Sequence, residues 1–254
     1  MCQNKNCNRY AIGIDLGGTF VKSALVAESG EIIFNHKLPI GATAQRNDIL
    51  NTMSEAIQEV LEKAKEEKLS VAGIGIGSPG LCCDGIVVGG ADNLNGWTDV
   101  HLSEIFSSEF NLSVLIDNDA NVMGLGEAVY GAAKDCTDVI FLTVGTGIGG
   151  AIVADGKLYG GYKNRGTEMG HVTIDHKGID CNCGGRGCLE AYASRSAIER
   201  RITGGLRKGR TSVISEYMKE GKPISSKMIK KSIDREDELV IQSVTEGSEY
   251  LAGG

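Results

Sequence analysis

The chain has 254 residues, 41% of them hydrophobic and 23% charged, with a formal net charge of −7. That is enough apolar material for two domain cores, and the acidic balance argues against a nucleic-acid-binding surface as the main function. No apolar run approaches the roughly 20 residues of a membrane span, nothing resembles a signal peptide, and eight cysteines diluted in so long a chain fit a reducing cytoplasm better than a disulfide framework.

In chain order, residues 1–10 (MCQNKNCNRY) are polar and read as a disordered end in which Cys2 and Cys7 are free thiols. Residues 11–26 (AIGIDLGGTFVKSALV) read as strand, Gly/Thr turn and strand, and the turn at Ser29-Gly30 leads into a short β-prone run over 31–34. Apolar residues at 49, 53, 57, 60, 61 and 64, with charges opposite, predict a helix over 49–68. Residues 71–80 read as a buried strand ending at a turn, and 114–120 as another ending at an Asx-rich loop. A helix is predicted over 122–132, and residues 138–153 (DVIFLTVGTGIGGAIV) then repeat the pattern of 11–26, followed by Asp155-Gly156 and a β-prone run over 157–159. Further helices are predicted over 189–201 and 239–251. Strands alternating with helices indicate an α/β fold, and the repeat predicts duplicated domains flanking a cleft. The expected division is a disordered 1–10, an N-terminal lobe over 11–121 and a C-terminal lobe over 122–254. Cys82, Cys83 and Cys136 are expected to be small buried hydrophobes, and Arg200, Arg201, Arg207, Lys208 and Arg210 a solvated basic face.

Four segments carry chemistry. In Asp15-Leu-Gly17-Gly18-Thr19 the glycine amides and the hydroxyl suit phosphate oxygens, and Asp15 suits magnesium; Gly145-Thr146-Gly147-Ile-Gly-Gly150 offers the same donors in the second half. Neither is a Walker A loop or a dinucleotide fingerprint, since no Gly-Lys-Ser/Thr follows and the next element is a strand. Asp117-Asn118-Asp119-Ala-Asn121 follows a strand, where one carboxylate suits a general base and Asn118 suits neighbouring hydroxyls; the same residues also suit a cap for a helix starting near Asn121. In residues 166–192, Cys181, Cys183 and Cys188 supply three thiolates for a tetrahedral zinc, with His171 and His176 as candidates for the fourth ligand. Glu168 and Glu190 flank this knuckle and suit sugar hydroxyls.

These motifs, together with Gly77-Ser-Pro-Gly80 and Glu168-Met-Gly-His171, resemble the ROK family of sugar kinases and sugar-responsive repressors in the actin-like ATPase superfamily, over residues 11 to about 194. The resemblance implies two actin-like (ribonuclease H-like) lobes around a nucleotide and sugar cleft, with a zinc knuckle over 171–188. It implies Asp119 as catalytic base, and Asn118, Glu168, His171, Glu190, Gly80 and Asn93 as sugar-binding residues. His171, Cys181, Cys183 and Cys188 are implied as ligands of a structural zinc. Asp15, Gly17, Gly18, Thr19, Gly145, Thr146 and Gly147 are implied to hold Mg2+ and the ATP phosphates. The implied reaction is ATP-dependent phosphorylation of glucose to glucose 6-phosphate by a cytoplasmic homodimer that engages neither nucleic acid nor membrane. Kinases for fructose, allose, N-acetylglucosamine or N-acetylmannosamine and a non-catalytic sugar-sensing regulator are the alternatives. Family members continue beyond a helix like 239–251 into a further Gly-rich, adenosine-contacting segment, so a missing C-terminal part is expected.

Overall fold

In the computed structural model, which describes residues 9–91, 94–218 and 224–253, the chain divides into two units. The first runs to Ile140 and resumes over Ala151–Gly166; the second is made of Phe141–Gly150 and the residues from Thr167 onward. A division at 121/122 therefore does not match the units, because the helix that begins at Asp119 stays with the strands before it.

The first unit starts with an antiparallel meander, β1 (Tyr10–Leu16), β2 (Phe20–Ala27) and β3 (Ile32–Pro39). Helix α1 (Arg46–Glu66) crosses to β4 (Val71–Ser78), which pairs parallel to β1. A small hairpin, β5 (Leu81–Cys83) and β6 (Ile86–Gly89), precedes α2 (Leu102–Phe110), β7 (Ser113–Asn118) and α3 (Asp119–Tyr130). The resulting mixed sheet has the order β3-β2-β1-β4-β7. Two-residue alternation sends Ile12, Ile14 and Leu16 of β1, with Val21 and Leu25 of β2, to one face, where Ile49, Met53, Ile57 and Val60 of α1 cover them completely. Tyr10 already belongs to β1 and Arg9 pairs with Glu28, so the disordered end does not extend to these two residues; residues 1–8 lie outside the described residues.

The repeat is visible in strand order: β8 (Val139–Val144), β9 (Ile148–Ala154) and β10 (Lys157–Tyr159) lie as β10-β9-β8, as β3-β2-β1 do. In the second unit, α4 (Leu189–Ala193) and α5 (Arg195–Arg207) replace the single helix predicted over 189–201. Ser194 breaks it, extended at ψ 163°, and its hydroxyl accepts from the Ala197 amide at 3.2 Å as an N-cap. Helices α6 (Ser226–Ile233) and α7 (Glu238–Gly253) close a small core of Ile202, Ile214, Ile224, Ile229, Leu239 and Val240 with α5.

The basic cluster is only in part a solvated face. Arg201 donates to the Tyr192 carbonyl at 2.7 and 2.8 Å, and Arg200 donates to that of Ala191, satisfying the C-terminal carbonyls of α4. Arg200, Arg207, Lys208 and Arg210 are exposed, and Arg201 is half-buried. Of the three cysteines expected inside, Cys82 is buried, Cys83 is half-buried and Cys136 is exposed. Cys136 lies in the exposed turns between α3 and β8.

Candidate active site and metal centre

Strand parity and register assemble the carboxylates of the first unit. Asp15 lies on the face of β1 opposite α1, and it pairs in register with Gly77, which in turn pairs with Asp117. All three sit at the C-terminal ends of parallel strands, where open α/β sheets keep their ligands. The start of α3 packs against β4 here, since a Cβ at Gly77 would make ordinary contact with Asp119 Cα at 3.6 Å.

The two carboxylates of the Asx-rich loop have separate tasks. Asp117 Oδ1 accepts from the Asn118 amide at 2.7 Å, from Asn121 at 2.9 Å and from Asn164 at 2.7 Å, which makes it structural. Asn164, which nothing in the sequence pattern singled out, also donates to the Cys82 carbonyl at 3.0 Å and so ties its loop to β5 and β7. Helix α3 starts at Asp119, two residues before the expected Asn121, and its cap is Asn118, whose Oδ1 accepts from the Ala120 amide at 2.9 Å. Asn118 Nδ2 donates to the Gly80 carbonyl at 2.9 Å, so a predicted sugar-lining glycine and the candidate base share one hydrogen-bonded frame.

Asp119 is open to solvent yet hemmed in by surrounding protein. That crowding raises its pKa above the ordinary aspartate value, and the negative charge of Asp15 adds to the rise, against the lowering effect of the Ala120 amide. Asp15 itself is paired with Lys22 at 2.6 Å, a partner not foreseen from sequence. Both side chains are more than half exposed, and such a pair contributes about 0–1 kcal/mol, so a hydrated divalent cation can replace Lys22 at little cost. The turn after Asp15 is pinned by Gly17 N to Phe20 O at 2.9 Å and Ile40 N to Thr19 O at 2.7 Å, and Gly18 and Thr19 are exposed.

Gly80 has φ +92°, and a Cβ there would stand 2.5 Å from the Gly89 carbonyl oxygen. Gly80→Ala is expected to destabilise the protein by about 1–3 kcal/mol, read as a lower urea midpoint at unchanged m, because both the backbone conformation and the space exclude a side chain. A midpoint equal to that of the parent protein would show that the β5–β6 hairpin yields freely. Asn93 lies outside the described residues.

In the second unit the turn Gly145-Thr146-Gly147 is exposed at its first two residues and is held from below. The Gly145 carbonyl accepts from Arg195 N at 2.9 Å, the Thr146 carbonyl from Ser196 Oγ at 2.7 Å, and Thr146 Oγ1 from Arg195 Nη2 at 2.6 Å. Glu190 Oε2 accepts from the Ile148 amide at 2.8 Å and fills the space where Gly147 lacks a side chain, so Glu190 reaches the glycine turn as well as flanking the knuckle. Glu168 is exposed, immediately before the 3-10 turn Met169–His171.

The knuckle brings together His171, Cys181, Cys183 and Cys188, whose ligand atoms all lie within 4.8 Å of one another. His176 is exposed and belongs to no such cluster among the described residues. Cys181 Sγ lies 3.7 Å from His171 Nδ1, and Cys183 Sγ lies 3.7 Å from Cys188 Sγ. A tetrahedral zinc with bonds of about 2.3 Å to sulfur sets ligand separations of about 3.7 Å, so this donor set fits in both chemistry and spacing. Burial pushes the Cys188 thiol up to about 12, so a cation is needed to keep that sulfur ionised at neutral pH. Gly187, at φ +73°, lets the chain pass against the Asp175 carbonyl where any side chain would collide. Tyr192 fixes the loop from α4: its hydroxyl accepts from the Ile179 amide at 2.8 Å.

The ROK family profile matches residues 11–254. The glucokinase of Halalkalibacterium halodurans is 34% identical over 247 residues, covering 96% of this chain and 74% of that protein. The xylose repressor of Bacillus spizizenii is 37% identical over 195 residues, covering 76% of this chain and 50% of the repressor. Among solved structures, a ROK family glucokinase from Streptomyces griseus in complex with glucose and AMPPNP superposes with a TM-score of 0.78 at 28% identity, covering 95% of this chain and 76% of that one.

Proposed function

This chain belongs to the ROK family, and from that premise we propose that it transfers the γ-phosphoryl group of ATP to a hexose hydroxyl, with glucose to glucose 6-phosphate as the reaction. The observation that carries this reading is Asp119, a carboxylate at a helix start whose raised pKa suits a base, while its neighbour Asp117 has Oδ1 held by three hydrogen bonds within the first unit. Asp119 takes the proton of the attacking hydroxyl. Asn118, Gly80, Glu168, His171, Glu190 and Asn93 orient the sugar, and the amides and hydroxyls of the turns at 17–19 and 145–147 hold the phosphates. Asp15 is the residue that would hold Mg2+, which spreads the charge developing on the transferring group. In phosphoryl transfer of this kind positioning and charge neutralisation supply most of the rate.

His171, Cys181, Cys183 and Cys188 would hold zinc, and the ion would brace the segment that carries the sugar-binding residues rather than polarise the substrate. His171 Nδ1, which lies 3.7 Å from Cys181 Sγ, would serve as its zinc ligand atom, and Nε2 would then be free to donate to a sugar oxygen. The chain works as a homodimer in a reducing cytoplasm, without nucleic acid or membrane; no helix among the described residues is long and apolar enough to cross a membrane.

Because the base must be ionised, its raised pKa places the acidic limb of kcat/KM above the pH expected of an ordinary aspartate, whose pKa is about 3.9. A pH profile that stays flat down to that value would remove Asp119 from the role.

A sugar-sensing regulator is the second reading, supported by the 37% identity to the xylose repressor. ADP release measured with glucose, mannose, fructose, allose, N-acetylglucosamine and N-acetylmannosamine separates the two. Sugar-dependent ADP release, fastest with glucose, is expected. Sugar binding without release of ADP with any of them would support the regulator instead.

A further inference from the structure

We propose that Arg195 is a positioning residue for phosphate binding, holding the Thr146 hydroxyl as an acceptor so that its own proton is directed at a phosphate oxygen. This rests on the reading of Gly145–Gly147 as a phosphate grip. A hydroxyl has one proton to give and two lone pairs, whereas a guanidinium only donates. Arg195 Nη2 donates to Thr146 Oγ1 at 2.6 Å, so the Thr146 proton cannot return along that line. The carbonyls on either side are drawn to the same helix start, that of Gly145 accepting from Arg195 N at 2.9 Å and that of Thr146 from Ser196 Oγ at 2.7 Å. Carbonyl dipoles that would repel a phosphate are thereby turned toward the start of α5, and the Thr146 O–H is left to point outward from an exposed turn.

The charge of Arg195 is largely spoken for. Its Nη1 lies 3.2 Å from Glu199 Oε1, one helical turn along, and 3.4 Å from the Ile224 carbonyl, and its side chain is 28% exposed. A guanidinium balanced by a carboxylate and bonded to a backbone oxygen is fixed in place, which suits it to orient a neighbour. The turn borders a cavity of 150 Å³ whose lining includes Thr146, Gly147, Ser196 and Arg200 together with the carboxylates of Asp180 and Glu190, which leaves room beside the oriented hydroxyl.

The test is calorimetric titration of ATP, ADP and AMP, with Mg2+, into the whole chain and its variants. Arg195→Ala is expected to weaken ATP about tenfold, or about 1.4 kcal/mol, the size of one hydrogen bond to a charged group, while leaving AMP within about twofold. Thr146→Val is expected to lose as much, and the double variant no more than Thr146→Val alone, because both remove the same oriented proton. Arg195→Lys keeps the charge without the planar reach to Thr146, so it is expected to match the alanine variant and serves if the alanine variant fails to fold. ATP affinity restored by lysine, losses that add in the double variant, or equal losses for ATP and AMP would each overturn the positioning role. Wild-type protein that binds none of the three nucleotides would overturn the phosphate-grip reading and this inference with it; tight ATP binding unchanged in Arg195→Ala would overturn the inference alone.

Discussion

Asp119→Asn is expected to lower kcat by about 10²–10⁴-fold while sugar affinity stays within a few-fold of the parent protein. Asparagine keeps the shape and can still accept from the Ala120 amide at the start of α3, but it cannot take a proton at neutral pH. The geometry around it should survive, because the cap is supplied by Asn118, whose Oδ1 and Nδ2 bridge the Ala120 amide and the Gly80 carbonyl. Thermal stability is expected to hold or rise, since the site raises the pKa of Asp119 and so disfavours its charged form in the folded protein. Single-turnover kinetics with a sugar titration separate the chemical step from binding. A loss confined to KM would mean that Asp119 reads the sugar rather than deprotonates it.

Removal of the metal is expected to act on the second unit and spare the first. Purified protein should carry one zinc per chain, and its extraction with a strong chelator, or Cys188→Ser, should lower sugar affinity by at least about tenfold, the lower end of what outer-shell changes cost in activity, and unlock the segment around the knuckle. The reason lies in what else holds that segment. Besides the ligand cluster it has the Tyr192 hydroxyl on the Ile179 amide, the small cluster of Cys181, Cys188, Ala191 and Tyr192, and short bridges Thr173 to Cys188 and Asp180 to Arg186. The core of the first unit, by contrast, is built from Leu16, Leu25, Ile57, Phe106 and their neighbours and contains no ligand residue. Hydrogen exchange should therefore accelerate over 168–192 on chelation and stay slow in β1, β4 and α1. Uniform acceleration across both units would contradict a local bracing role, and metal-free protein with unchanged sugar affinity would refute the link to recognition.

Much of this was legible in the sequence because it is written in local patterns. Apolar runs around a Gly/Thr turn gave β1 and β2, helical spacing gave α1, and cysteine spacing gave Cys181, Cys183 and Cys188; His171 rather than His176 came from the family resemblance, and the four groups lie within 4.8 Å of one another. The turn Asp84-Gly85, with φ of 50° and 83°, was a hairpin signal between β5 and β6 that went unread. Ser194 likewise announced the break between α4 and α5, in the form of an N-cap residue inside an apparent helix. Helix α2 gives a weaker signal: it has nine residues, and only Leu102 and Phe106 are buried.

What was illegible is long-range pairing. Nothing near Asp117 in sequence foretells that Asn164, 47 positions away, will occupy it, or that Arg195 will reach Thr146 across 49 positions. The basic run at 200–210 misleads for the same reason. Its first two members bond the carbonyls of α4, and of them Arg201 is half-buried while Arg200 still faces solvent.

The central claim is that this chain moves a phosphoryl group from ATP to a hexose with Asp119 as base. The most direct test incubates glucose, ATP and Mg2+ with the parent protein and with Asp119→Asn, and follows the sugar itself by mass spectrometry and phosphorus NMR. Glucose 6-phosphate formed in step with ADP by the parent protein, and at most about one part in a hundred as fast by the variant, is the predicted result. No phosphorylated sugar from the parent protein, or equal product from both, would contradict it.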